Sequence, residues 1–128
     1  MKVTAKHIEG FRFEMVSDSL TIISDQAEQY GGEGTGPMPS ELLLWSLASC
    51  LGQSIAYIAK KKRVEIRNLK LEAQGKKDMD DFRYGEIGVL VSGDLPSDEL
   101  NKMLELARKY CFVSNTLAQG ITVDYKVE

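Results

Sequence analysis

Three short stretches near the start of the chain alternate apolar positions with a second parity: Val3 to Ile8, then Phe11, Phe13 and Met15 against Arg12, Glu14 and Val16, then Leu20 and Ile22 against Thr21 and Ile23. Period two sends successive side chains to opposite faces of a strand, and Gly10 and Ser17-Asp18-Ser19 separate the stretches at hairpin spacing. The pattern predicts an antiparallel meander. From Asp25 to Pro39 alternation stops, and Tyr30-Gly31-Gly32-Glu33-Gly34-Thr35-Gly36-Pro37 is rich in glycine. No Gly-Lys-Ser/Thr follows, and Pro37 and Pro39 lack N–H groups, so this stretch predicts a flexible lid or a conformationally demanding turn rather than a phosphate loop.

The longest apolar run comes next. Leu42, Leu43, Leu44, Trp45, Leu47, Ala48, Leu51, Ile55, Ile58 and Ala59 leave only a thin polar stripe of Ser46, Ser49, Gln53 and Ser54. Ser40 can cap the start, Glu41 sits in the first turn and Lys60-Lys61-Lys62 close the last, the charge order that suits a helix dipole. About 18 uncharged apolar residues is the lower limit for a membrane span, but the serines and glutamine cluster at its middle, where a span is most apolar. The expectation is a soluble central helix about 30 Å long at 1.5 Å per residue. A helix that is apolar nearly all round must be covered on more than one side, more than one six-stranded sheet can offer.

Beyond it, Val64 and Ile66 hold one parity and Leu69, Leu71 and Ala73 the other, which predicts a strand with a bulge or bend at Arg67-Asn68. A polar turn, Gly75 to Asp81, leads into an alternating strand from Tyr84 to Ser92. Leu95-Pro96-Ser97-Asp98-Glu99 is a helix start, and Leu100, Met103, Leu104, Ala107 and Cys111 follow at helical spacing. Phe112 to Gln119 reads as a short turn or helix ended by Gly120, and Ile121, Val123, Tyr125 and Val127 as a last strand. The whole is an α+β domain over residues 1–128, mostly antiparallel, of order βββ-α-ββ-α-β with the short helix before the last strand.

Composition narrows the function classes. A length of 128 residues with 43% hydrophobic and 27% charged residues fits one globular domain, and a net charge of −3 argues against nucleic acid as a partner. The charged start, Met-Lys-Val-Thr-Ala-Lys-His-Ile-Glu-Gly, has no apolar core of signal-peptide length, so a cytoplasmic protein is expected, in a reducing compartment where a cysteine pair is rarely a permanent structural disulfide. Cys50 and Cys111 are the two cysteines and His7 the one histidine. No Cys-x-x-Cys occurs, so neither a metal site nor a cofactor is expected. An unpaired cysteine most often behaves as a small buried hydrophobe, yet these two sit on the inward faces of two helices. A thiol is mostly protonated at neutral pH, so a reactive cysteine needs a cation nearby. Arg12 is the first candidate, with Arg83 and Arg108 as alternatives.

Gly36-Pro37-Met38-Pro39-Ser40-Glu41-Leu42-Leu43-Leu44-Trp45-Ser46-Leu47-Ala48-Ser49-Cys50, with Cys111-Phe112-Val113-Ser114-Asn115-Thr116-Leu117 far downstream, resembles the two signature segments of the OsmC/Ohr family, osmotically inducible protein C and organic hydroperoxide resistance protein. The resemblance implies a peroxidatic Cys50 and a resolving Cys111, in an intertwined homodimer whose long helices pack at the centre and whose sites lie at the subunit interface. It implies a thiol peroxidase that reduces a small organic hydroperoxide through a Cys50 sulfenic acid and a Cys50 to Cys111 disulfide, reset by a dithiol reductant, in the oxidative stress response. Supporting roles fall by the same resemblance to Arg12 and Glu41. The chain has Pro-Ser-Glu-Leu where the hydroperoxide-resistance pattern has Pro-Glu-Gln-Leu, and Arg12 stands in a Phe-Arg-Phe strand context. These departures place it nearer the less characterised OsmC-like branch. The rival function is a non-catalytic dimer of the same fold that binds a small apolar ligand.

Overall fold

The computed structural model describes residues 1–128, and the chain divides into two units, Met1–Leu43 and Leu44–Glu128. In the first, β1 (Thr4–Glu9), β2 (Arg12–Ser17) and β3 (Leu20–Ser24) form the expected antiparallel meander in that order. His7 faces Phe13 across the first pair and Met15 faces Ile22 across the second, while the turns use Gly10 (φ 55°) and Asp18 (φ 47°) in the left-handed region.

The glycine-rich stretch is a demanding turn rather than a loose lid. Asp25, 1% exposed, organises it: Oδ1 accepts the Gln26 N–H at 2.7 Å, and Oδ2 accepts the Glu33 N–H at 3.2 Å, the Thr35 N–H at 3.1 Å and the Thr35 hydroxyl at 2.7 Å. The Ser24 hydroxyl and the Asp25 N–H both donate to the Pro37 carbonyl, at 2.9 and 3.2 Å, closing the loop on the end of β3. A Cβ at Gly32 would collide with the Gln26 carbonyl and one at Gly36 with the Ile23 carbonyl, so no side chain fits at either position. Burial alone would raise the Asp25 pKa; the Thr35 hydroxyl and the Thr35, Gln26 and Glu33 N–H groups outweigh it and hold the carboxyl below its ordinary value.

The long helix α1 (Pro39–Lys62) begins in the first unit and continues through the second. It starts one residue before Ser40, and the Glu41 Oε1 accepts the Met38 N–H at 3.0 Å, a carboxylate closing its own first turn. By length and mean hydropathy, 1.5, α1 passes the test for a membrane span. Its apolar surface is only partly covered: Leu47, Leu51, Ile55, Ile58 and Ala59 are buried, while Trp45 and Tyr57 are exposed.

In the second unit β4 (Lys70–Asp78) and β5 (Arg83–Ser92) form an antiparallel hairpin, followed by α2 (Ser97–Tyr110) and α3 (Phe112–Gln119). The core cluster joins Leu47, Leu51, Ile55, Ile58 and Ala59 of α1 to Met103, Ala107 and Cys111 at α2, with Leu71, Ile87, Val89 and Val91 of the hairpin packed against it. A Cβ on Gly52 would stand 3.1 Å from Leu71 Cδ1, so the bare backbone is what admits the hairpin so close to α1.

Three expectations need correction. Val64 to Ile66 is not strand, because Arg63 and Asn68 take left-handed φ values of 56° and 54° and β4 starts only at Lys70. Gly75 is not turn but mid-strand, opposite Ile87. The last strand over 121–127 is not formed, and the strands lie in sheets of three and two. Ile121, Val123, Tyr125 and Val127 are exposed and join no ladder, and alternation without a paired neighbour makes no strand.

Ile55 is fully buried in the cluster, so Ile55→Ala should lower the unfolding free energy by about 2–5 kcal/mol in urea titration. The lowered Asp25 pKa means the unfolded chain takes up its proton first as pH falls. Asp25 therefore stabilises the fold above its unfolded value, about 3.9, and that contribution fades as pH drops through the folded value. Asp25→Asn should flatten the acid limb of the stability profile and lower the plateau above it.

Candidate active site

Cys50 lies in the middle of α1, three residues after Leu47 and one before Leu51, so it flanks the buried stripe and is itself half-buried. Cys111 ends α2 at the place the i, i+4, i+8 series of Met103, Ala107 and Cys111 dictates, and it is fully buried. Both are free thiols. The structure brings them near one another, close enough for the Cys50 sulfur to bear on the Cys111 thiol, although 61 positions separate them in the chain.

Cys111 occupies a backbone break. Its φ of −79° and ψ of 102° are extended, which ends α2 and opens α3. Burial pushes the Cys111 pKa up, and the nearby Cys50 sulfur pushes it further. The Ser114 and Val113 N–H groups at the start of α3 face the sulfur and offset part of this rise without making a short capping bond. Cys111 is thus held as a thiol.

The surroundings are apolar on one side. Leu47 and Leu51 are buried and Val113 is half-buried against the core, while Phe112 is 80% exposed. On the backbone, the Ser54 hydroxyl donates to the Cys50 carbonyl at 3.0 Å, a bond that bends helices slightly where it occurs. A groove of about 480 Å³ along α1, lined by Trp45, Ala48, Gly52, Ala56, Leu69 and Leu71, includes Ser49 but neither cysteine.

The other expected residues lie elsewhere in the chain's contacts. Arg12 opens β2 in the first unit, with Nη1 3.9 Å from Glu33 Oε2 and a buried Nε that has no acceptor. Glu41 serves the α1 N-terminus. Arg83 reaches Asp78 at 4.0 Å and Arg108 reaches Glu105 at 3.1 Å, both on exposed faces. Sequence reasoning missed Asp25 and Glu33. An aspartate ending a strand before a glycine-rich loop was the available signal, but its partners eight and ten residues on were not.

Residues 32–126 match the family model described as OsmC-like protein. No curated protein matches the chain in sequence. Among solved structures, a protein from Psychrobacter arcticus superposes with a TM-score of 0.81 at 21% identity, covering 91% of this chain and 87% of its own. The OsmC like protein from Mycoplasma pneumoniae gives 0.77 at 24%, covering 94% and 87%. The organic hydroperoxide resistance protein OhrB of Bacillus subtilis gives 0.63 at 27%, covering 90% and 87%.

A raised folded pKa at Cys111 makes the unfolded chain lose that proton first as pH climbs. The contribution to stability is complete below the unfolded value, 9.0, and is lost as pH rises through the folded one. Urea stability should therefore fall across the alkaline range beyond pH 9.0, and Cys111→Ala should reduce that slope.

Proposed function

The chain belongs to the OsmC-like family, and from that premise we propose that it is a cytoplasmic thiol peroxidase acting on small organic hydroperoxides. The observation that carries this reading is the closeness of the Cys50 and Cys111 thiols. The Cys50 thiolate attacks the terminal peroxide oxygen, the O–O bond breaks, and the alkoxide takes a proton and leaves as the alcohol. Cys50 is then a sulfenic acid. Cys111 sulfur attacks it, the S–O bond breaks, and water leaves with the Cys111 proton as the disulfide forms. A dithiol reductant restores both thiols by exchange and is itself oxidised to a disulfide. Buried Leu47 and Leu51 suit an alkyl group better than water. Arg12 and Glu41 enter as supporting residues on the family resemblance alone.

We also propose a homodimer. Trp45 and Tyr57 on α1, and Ile121, Val123 and Tyr125 in the unpaired last segment, are exposed apolar surface of the kind a second copy covers. The alternative reading is a dimer that binds a small apolar ligand without chemistry, and the groove beside Trp45, which omits both cysteines, favours it.

One equivalent of cumene hydroperoxide should consume both thiols of each subunit in wild type; in Cys111→Ser, where the sulfenic acid has lost its resolving thiol, one equivalent should stop at a Cys50 sulfenic acid and excess peroxide should carry it to the sulfinic acid. Retention of both free thiols would leave only the ligand-binding reading. Gel filtration with light scattering should give a mass near twice 14.3 kDa, and a monomer at micromolar concentration would remove the dimer.

A further inference from the structure

Within the second unit α2 ends at a backbone break, and a helix end leaves its last carbonyls without partners in their own helix. Asn115 reaches back across that break from α3. Its Nδ2 donates to the carbonyl of Lys109, in the last turn of α2, at 3.2 Å, and its backbone N–H donates to the Cys111 carbonyl at 3.0 Å. One residue therefore ties together both sides of the turn that carries the Cys111 thiol. The turn has little else to hold it. An isolated helix shorter than about 12–15 residues is marginal in water, and α3 has eight residues, none of them buried. Val113 is the α3 side chain that packs against the core cluster. The Thr116 hydroxyl donates to the Phe112 carbonyl at 2.9 Å, a bond that stays inside α3 and fixes nothing across the break. The Val113 and Ser114 N–H groups face the Cys111 sulfur, so a shift of α3 carries the surroundings of that sulfur with it.

We propose that Asn115 is the positioning residue for Cys111: its side-chain amide ties α3 to the end of α2, so that the turn between them presents the Cys111 sulfur to the sulfenic acid on Cys50. This rests on the thiol-peroxidase reading, which gives Cys111 that step. The Cys111 sulfur attacks the sulfenic sulfur, the S–O bond breaks, and water leaves with the Cys111 proton as the S–S bond forms. Disulfide geometry tolerates little misalignment, so a turn free to swing at Lys109 would slow this step while leaving the first attack on peroxide, made by Cys50 alone, as it was.

The test titrates cumene hydroperoxide against wild type, Asn115→Ala, Asn115→Asp, Thr116→Val, Cys111→Ser and the Asn115→Ala/Cys111→Ser double variant. Peptide mass spectrometry reads the peroxide concentration at which half of Cys50 ends as sulfinic acid instead of disulfide, and dimedone trapping reads how fast the sulfenic acid first forms. Asn115→Ala should lower that concentration by about two- to tenfold, the span a single neutral hydrogen bond supplies, with the rate of sulfenic acid formation unchanged. Asn115→Asp keeps the size of the side chain but, ionised, has only acceptors, so it should behave as Asn115→Ala does. Thr116→Val removes a bond of α3 that does not cross the break and should match wild type. In the Cys111→Ser background Asn115→Ala should add nothing, because the thiol it positions is gone. The proposal is overturned if Asn115→Ala leaves the concentration unchanged or raises it, if Asn115→Asp matches wild type, if Thr116→Val acts as strongly as Asn115→Ala, or if Asn115→Ala still acts without Cys111; the peroxidase reading survives each of these. Should wild type itself form no Cys50 to Cys111 disulfide, the peroxidase reading fails and the proposal falls with it.

Discussion

Burial of the Leu47, Leu51, Ile55 and Ile58 stripe of α1 in one cluster with Met103, Ala107 and Cys111 is the constraint on which the second unit depends. Each fully buried aliphatic side chain contributes about 1.5–3 kcal/mol, whereas the exposed ion pairs of this chain fall in a class worth about 0–1 kcal/mol. The rotational setting of α1 is therefore decided by its apolar stripe. A slip of one residue would turn the helix by about 100° and carry Cys50 away from Cys111. The meeting of the two sulfurs is thus a consequence of hydrophobic register, which no local feature around either cysteine encodes.

This explains what could be read from the sequence. The meander, the two main helices, the second hairpin and the short helix before Gly120 rest on period-two and period-3.6 patterns with turn residues between them, and such signals are local. Val64 to Ile66 carries the same alternation but fails as strand, because Arg63 adopts left-handed backbone that a non-glycine, non-asparagine residue does not advertise, while Asn68 does so where a bend was expected. Ile121 to Val127 also has the pattern without the pairing, since a strand needs an edge and pattern cannot supply one. The cysteines were legible through their motif segments. The ion pair of Arg12 with Glu33 was not, because it spans a loop whose shape is fixed by backbone N–H groups that any residue would carry.

Asp25 shows how the sequence affords a buried charge without a counter-ion. Its carboxylate is 1% exposed and has no cation among its partners; four donors replace water instead. Three of the four are backbone N–H groups, which lets the surrounding positions be glycine where close approach demands it. The loop between β3 and α1 is consequently specified from its hinge residue outward, and Glu33 inherits its position from that hinge rather than from its own side chain.

The asymmetry between the two cysteines follows from where each sits in its element. Cys50 is enclosed by helical backbone on both sides within a 24-residue helix whose buried stripe anchors it. Cys111 stands at a break, and the helix after it has eight residues, none of them buried. Joining two nearby sulfurs in a bond of about 2.05 Å requires one side to yield, and disulfide geometry tolerates little misalignment. Moving α1 would displace the five buried residues it gives the core cluster, Leu47, Leu51, Ile55, Ile58 and Ala59, whereas the Cys111 turn gives that cluster Cys111 alone and α3 only the partly buried Val113. In the proposed peroxidase the resolving step accordingly draws Cys111 toward Cys50. The raised pKa that keeps Cys111 protonated then has a mechanistic counterpart, since the cysteine on the yielding side must hold its proton until a sulfenic acid forms on the fixed side and water leaves.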